Sequence, residues 1–246
     1  MIFTRSYNIP YFNVGADRKL RITSLMQYLE DMAIRQSEEC GIGLDFYEQT
    51  QTAWVLAKWD LEVNAYPAFT QDITITTEPH SFRNYFGFRR YEVRSSNDKI
   101  LAKANTLWVY IDMRRKRPTP VTEEVIQAFG ISPDSKRPLA IQSPEPPDEI
   151  DYQTRFQIRL GDIDTNQHVN NIRYIEWALE TLPPEFIRTK KASRVMADYR
   201  KELMYGDEVY STAEILAQSE SVRSRHKISN SQKDACLAVF EWNQTS

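Results

Sequence analysis

The sequence predicts an α+β fold made of two copies of one pattern. Three observations carry this reading. A long amphipathic stretch, Ser24 to Gln36, is followed by a series of strand-like runs, so neighbouring strands pair antiparallel rather than through βαβ crossovers. The same order of elements recurs in the second half of the chain. Between the halves lies Ser143-Pro144-Glu145-Pro146-Pro147-Asp148, whose composition is that of a linker. The expected organisation is a first domain over 1–131, a linker over 132–149 and a second domain over 150–246.

Taken in order, Phe3 to Ile9 reads as a first strand, and Gly15 with Asp17 makes a turn. Ser24 with Gln27 fits a capping box. Leu25, Leu29, Met32, Ala33 and Gln36 trace the buried stripe of a helix, and Gly41 and Gly43 end it. After a connecting stretch, Ala57, Trp59, Leu61 and Val63 alternate with Lys58, Asp60 and Glu62, the mark of a half-buried strand. Tyr66-Pro67 turns the chain. Asp72 to Glu78, Tyr85 to Arg94 and Ile100 to Ile111 are rich in β-branched and aromatic residues and read as strands, with Asn97-Asp98 as a hairpin tip. Glu123 to Phe129 is a short helical segment.

In the second half, Tyr152 to Leu160 reads as a strand and Gly161 takes the place of Gly15. A helix then carries Ile172, Ile175, Leu179 and Leu182 on one face until Pro183-Pro184 stops it. Tyr28-Leu29-Glu30 aligns with Tyr174-Ile175-Glu176, and Leu101-Ala102 with Leu237-Ala238. Arg194 to Leu203, Glu208 to Leu216, Ser221 to Ile228 and Ala235 to Trp242 complete a sheet.

Composition narrows the function. With 41% hydrophobic and 26% charged residues the chain has the makings of globular cores. A formal net charge of -3 gives no general attraction to nucleic acid or to anionic membranes. No nucleotide-binding glycine pattern occurs, and no apolar run approaches membrane-spanning length. Two cysteines, Cys40 and Cys236, and three histidines, His80, His168 and His226, show no metal-ligand spacing, so neither a metal nor a cofactor is expected. Met1-Ile2-Phe3-Thr4-Arg5 does not read as a signal peptide, which makes a reduced cytoplasmic setting the expectation.

The chemistry concentrates in Gly161-Asp162-Ile163-Asp164-Thr165-Asn166-Gln167-His168-Val169-Asn170-Asn171. Asp164, Asn166 and His168 stand two apart, so an extended or looping backbone shows them on one side. They precede a helix start, where free N–H groups and a partial positive charge suit a developing oxyanion. Asp and Asn are equally the ordinary residues of turns and N-caps. The corresponding stretch of the first half, Gly15-Ala16-Asp17-Arg18-Lys19-Leu20, lacks the Asn and the His.

The string Asp164-Thr165-Asn166-Gln167-His168-Val169-Asn170-Asn171, followed by Tyr174-Ile175, resembles the signature of plant plastid and bacterial fatty acyl-ACP thioesterases. Val14-Gly15-Ala16-Asp17-Arg18, Trp54-Val55-Leu56, Tyr66-Pro67 and Tyr199-Arg200-Lys201-Glu202 resemble other motifs of that family, in the same order along nearly the whole chain. The resemblance implies a double hotdog fold: two tandem hotdog domains, each a long helix wrapped by a curved antiparallel sheet. It implies an N-terminal half that holds the acyl chain, a catalytic C-terminal half, and hydrolysis of fatty acyl-ACP to free fatty acid and ACP. A homodimer is compatible with it.

The resemblance also supplies the fourth member of the site, Glu202, at the family's spacing from His168. Read from residues alone, a carboxylate inside an otherwise apolar strand is costly unless paired or functional, and Lys201 or Arg200 could pair it. The implied mechanism is general-base hydrolysis. Glu202 takes a proton from water, and His168 orients that water or protonates the leaving thiolate. Asn166 and helix-start amides hold the thioester oxygen. Asp164 orients its neighbours or attacks as a nucleophile. Leu203 departs from the pattern in which a catalytic cysteine follows the glutamate, so cysteine is expected to take no part. Three basic groups are candidates for docking an acidic carrier: Arg114 to Arg117; Arg223, Arg225, His226 and Lys227; and Lys190-Lys191. An acyl-CoA thioesterase, a non-catalytic acyl-binding hotdog protein and a hotdog dehydratase are the competing readings.

Overall fold

The computed structural model describes residues 1–132, 137–165, 167–218 and 221–244. The chain forms two compact units. Met1–Ala57 and Val63–Ile141 make the first; Lys58–Glu62 and Gln142–Ser246 make the second.

The first unit contains β1 (Phe3–Asn8), α1 (Ile22–Glu39), α2 (Leu44–Thr50), β2 (Thr52–Val63), β3 (Asp72–Arg83), β4 (Phe86–Ser95), β5 (Ile100–Asp112), the two-residue β6 (Arg117–Pro118) and α3 (Glu123–Ala128). Its strands run in the order β1-β3-β4-β5-β2, with β6 on β5. Every pairing defined in register here is antiparallel, for instance Ile75 opposite Val93. The expected stripe on α1 is buried as read: Leu25, Leu29, Met32, Ala33 and Gln36 all face the interior. The helix begins earlier than the proposed capping box, at N-cap Arg21, and no side chain caps it. Ser24 is therefore a buried residue of the first turn. Gly41, with φ of 73°, makes the left-handed exit that follows the helix. The stretch read as a connection holds α2, and β2 starts five residues ahead of the expected strand.

The second unit contains β7 (Tyr152–Gln157), α4 (Asn171–Thr181), α5 (Pro184–Thr189), β8 (Lys190–Tyr199), β9 (Glu208–Gln218), β10 (Ser221–Ser229) and β11 (Asp234–Gln244). The β2 segment Lys58–Glu62 joins it, and the order is β2-β8-β11-β10-β9-β7. Its pairings too are antiparallel. Asp60, 8% exposed, receives both Nε and Nη2 of Arg194 at 2.8 and 2.9 Å across the β2–β8 pair. Helix α4 lays Ile172, Tyr174, Ile175, Trp177 and Ala178 on the sheet and packs on β9, β10, β7 and β11. Asn170 caps it by accepting from the Ile172 N–H at 2.9 Å. Pro183-Pro184 ends α4 as expected, but Pro184 also opens α5, since proline suits the first helical position.

Two further corrections concern the second half. The strand expected over Arg194 to Leu203 ends at Tyr199, so Glu202 lies on an irregular segment and not inside a strand. The amides of Arg200 and Lys201 both turn to the Ala235 carbonyl, at 2.8 and 3.2 Å, which carries the chain away from the sheet. Gly161 is not the counterpart of Gly15. It lies in the 3-10 turn Leu160–Asp162, and the counterpart of Gly15 is Asp164.

Candidate active site

The loop between β7 and α4 is built from backbone hydrogen bonds. The Asp164 N–H donates to the His168 carbonyl at 2.8 Å, and the Gln167 N–H donates to the Asp164 carbonyl at 3.1 Å. Gln167 takes a left-handed conformation, φ 65°, which closes this turn. Ile163 and Val169 form an isolated bridge at its base, and the Asn170 N–H donates to the Asp162 carbonyl at 2.8 Å. Below the turn the Asp162 carboxylate, 1% exposed, is fully engaged. It accepts from the Arg159 amide at 2.8 Å, from the Arg159 guanidinium and from Arg173 Nε at 3.3 Å. A buried carboxylate holding two arginines and an amide anchors the loop to the first turn of α4.

Of the four expected site residues, the structure brings together His168 and Glu202. The His168 Nε2 stands 3.3 Å from a Glu202 carboxylate oxygen. Their side chains are 28% and 50% exposed, so solvent reaches the pair. Asp164 belongs to the same turn as His168, and its Oδ1 accepts from the His168 N–H at 3.4 Å. Asn166 lies outside the described residues.

Segment 200–203 meets the loop through its backbone. The Val169 N–H donates to the Leu203 carbonyl at 3.0 Å. The Leu203 N–H in turn donates to the phenolic oxygen of Tyr174 at 2.9 Å. Burial raises the pKa of Tyr174, so it stays a neutral phenol. From sequence, Tyr174 enters only as part of the family signature and of the repeat, with no role of its own, because nothing local links it to Leu203. Asp162 was passed over as an ordinary turn residue.

Among the described residues, neither cysteine thiol is hydrogen-bonded to a site residue, although Cys236 stands opposite Tyr199 and acts electrostatically on Tyr174. Cys236 is fully buried in β11, its thiol pushed up by burial and directed at the Leu237 carbonyl. Cys40 is the C-cap of α1 in the first unit, and its thiol is also raised by burial. One proposed docking cluster is revised. His226 is buried, its pKa pushed down to about 3 by loss of solvent. Arg225 is held by Glu145, Asp148 and Glu214, and Arg223 by Glu241. Arg114, Arg115, Lys116 and Arg117 are exposed.

Comparison with known proteins agrees with this architecture. The chain is 30% identical over 221 residues to a chloroplastic palmitoyl-acyl carrier protein thioesterase of Cuphea hookeriana, covering 82% of this chain and 52% of that protein. It thus spans about half the length of the curated relatives it matches. Among solved structures, a Lactobacillus plantarum protein provisionally described as an oleoyl thioesterase superposes with a TM-score of 0.94 at 22% identity, over 100% of this chain and 97% of that one. A 12:0-ACP thioesterase from Umbellularia californica superposes with a TM-score of 0.87 at 21% identity, over 99% and 94%. At those identities the likeness speaks for the fold, which is the expected double hotdog. The acyl-ACP thioesterase N-terminal domain matches residues 1–129 and the C-terminal domain of the same family matches residues 145–244. On those two matches, which take in both halves of the chain, it belongs to the acyl-ACP thioesterase family.

Proposed function

We propose that this chain hydrolyses the thioester that joins a fatty acyl group to the phosphopantetheine arm of acyl carrier protein, releasing the fatty acid and the carrier thiol. The observation that carries the proposal is the 3.3 Å contact between His168 and Glu202, brought together from two separate segments of a chain of this family. A carboxylate beside an imidazole, both reached by solvent, suits a general base acting on water.

In this mechanism Glu202 accepts a proton as the water oxygen bonds to the thioester carbon. Asn166 and amides at the start of α4 hold the oxygen that becomes negative. Collapse of the tetrahedral intermediate breaks the C–S bond, and the departing thiolate takes up a proton relayed through His168. Asp164 acts as an orienting group: its carboxylate faces the His168 amide at 3.4 Å, which favours holding the loop over attacking the substrate. Cysteine has no role, since Leu203 follows Glu202 and the buried Cys236 thiol is held protonated. A reducing compartment such as the cytoplasm belongs to the same proposal, both cysteines being free thiols.

The test is thiol release from a series of acyl-ACP chain lengths, with matched acyl-CoA substrates alongside. Release from acyl-ACP is expected. An absence of turnover across the ACP series would refute the proposal, and faster turnover of every CoA ester would move the substrate to CoA.

A further inference from the structure

We propose that Tyr174 is a positioning residue of this site: its phenolic oxygen holds the peptide that joins Glu202 to Leu203 and so aims the Glu202 carboxylate at His168. The inference rests on the hydrolytic reading above and adds a residue to it.

Glu202 has no strand to hold it, and its side chain is half exposed. Something else must restrict where its carboxylate points. The Leu203 N–H lies in the same rigid peptide plane as the Glu202 carbonyl. Tyr174 accepts from that N–H at 2.9 Å, which fixes the plane and with it the backbone torsion of Glu202. The next plane is fixed as well, because the Leu203 carbonyl accepts from Val169, the residue after His168. Leu203 is fully buried and Tyr174 nearly so, which keeps water from replacing either bond. The side-chain contact His168–Glu202 therefore sits beside a backbone clamp that keeps both segments in register.

The first unit is an internal control. Its loop has the same backbone hydrogen bonds at one constant offset: Gly15 to Lys19 for Asp164 to His168, Arg18 to Gly15 for Gln167 to Asp164, Arg21 to Asn13 for Asn170 to Asp162. Arg18, like Gln167, is left-handed. The Leu20 N–H donates to the Pro67 carbonyl at 2.8 Å, as Val169 does to Leu203. Lys19 and Tyr66 stand where the second unit has His168 and Glu202. Pro67 has no N–H to be held, and the fourth residue of α1, in the place of Tyr174, is Leu25. The loop forms without the clamp, and phenol and amide donor are missing together where the acid-base pair is missing. That correlation ties Tyr174 to the chemistry rather than to the loop's folding.

The experiment is a double-mutant cycle on acyl-ACP hydrolysis with parent, Tyr174→Phe, Glu202→Gln and both together. Tyr174→Phe should lower kcat roughly 10-fold with KM within about 2-fold of the parent, as expected when an interaction serves the transition state alone. The Glu202→Gln penalty should shrink by the same factor in the Phe background. Parental kcat in Tyr174→Phe, or strictly multiplicative losses, would overturn the clamp while leaving hydrolysis intact. A parent inactive on every acyl-ACP would overturn both readings. If Tyr174→Phe does not fold, a fluorinated tyrosine at position 174 alone keeps the shape and weakens the acceptor. A smaller loss of kcat at constant KM is then expected, and an unchanged kcat would refute the clamp.

Discussion

The Nε2 of His168 lies 3.3 Å from a carboxylate oxygen of Glu202, and one residue further along each segment the Val169 N–H donates to the Leu203 carbonyl at 3.0 Å. Side chains and backbone thus hold the same two segments together. Replacing His168 with Ala, or Glu202 with Gln, should lower kcat by roughly 10²–10⁴, the range for losing a general acid or base. Single-turnover release of the carrier thiol measures this, and near-parental rates in either variant would remove that residue from the mechanism.

Asp162 supports this arrangement from below. Its carboxylate is buried and engages Arg159, Arg173 and a main-chain amide. Asp162→Ala takes an acceptor from the Arg159 amide and from Arg173, which is 30% exposed and keeps Glu176, and should cost about 1–3 kcal/mol in stability. Chemical denaturation measures the difference, and a change below about 0.5 kcal/mol would show that the loop does not lean on this carboxylate.

Thiol chemistry gives a third expectation. A Cys40→Ser, Cys236→Ala double variant should keep most of its kcat, and the parent's kcat should resist alkylating agents, since burial raises the pKa of both thiols. A collapse in rate with the fold intact, judged by circular dichroism, would restore a cysteine to the mechanism.

His226 should make stability depend on pH. Burial holds it neutral down to about 3, and its ring is bound to Ser224 Oγ at 2.7 Å. The unfolded chain takes up a proton near the ordinary value of 6.5, well before the folded state does. The contribution of this group is therefore fully present above about pH 6.5 and is lost as pH falls toward 3, at up to about 1.4 kcal/mol per unit. Urea denaturation at pH 7 and pH 5 should show the drop, and His226→Gln should remove one proton's share of the slope. Identical slopes in parent and variant would contradict the assignment.

Electrostatic carrier docking should use exposed cations, and in the run from Arg114 even Arg115 is held only loosely, 3.8 Å from Asp112. Reversing Arg114, Arg115 and Lys116 to Glu should raise KM for acyl-ACP, more at low salt, and leave a small thioester unaffected. Reversing Arg225 should instead destabilise the protein, because three carboxylates hold it. An unchanged KM in the first variant would exclude that run.

Much of this structure was readable from residues. The period-two run Ala57 to Val63 and the stripe from Leu25 to Gln36 point to a strand and a helix because their apolar residues recur at the period of the element, although Asp60 on the other face of its strand is buried too. What escaped had no such one-sided pattern. Helix α2 has no side-chain cap, and the proline pair announced an end while also beginning α5. Leu203 is apolar and buried, so it extended the expected strand past Tyr199; yet it is buried by a loop that returns to α4, a contact with no local signal. That same error placed Glu202 in a strand. The repeat was aligned on Tyr28-Leu29-Glu30 and Tyr174-Ile175-Glu176, whereas the hydrogen bonds pair Leu25 with Tyr174, so the difference between the copies at that position stayed hidden.

The loop that carries His168 is closed by main-chain bonds that recur in the first unit around quite different side chains. Emptying the second loop of its reactive groups should accordingly leave its shape standing. A catalytically silent form carrying Ala at 168 and Gln at 202 would then serve as a trap, able to take up acylated carrier but not to discharge it. Such a reagent could isolate the carrier and reveal which acyl chain it bears, information that a turnover assay destroys as it measures.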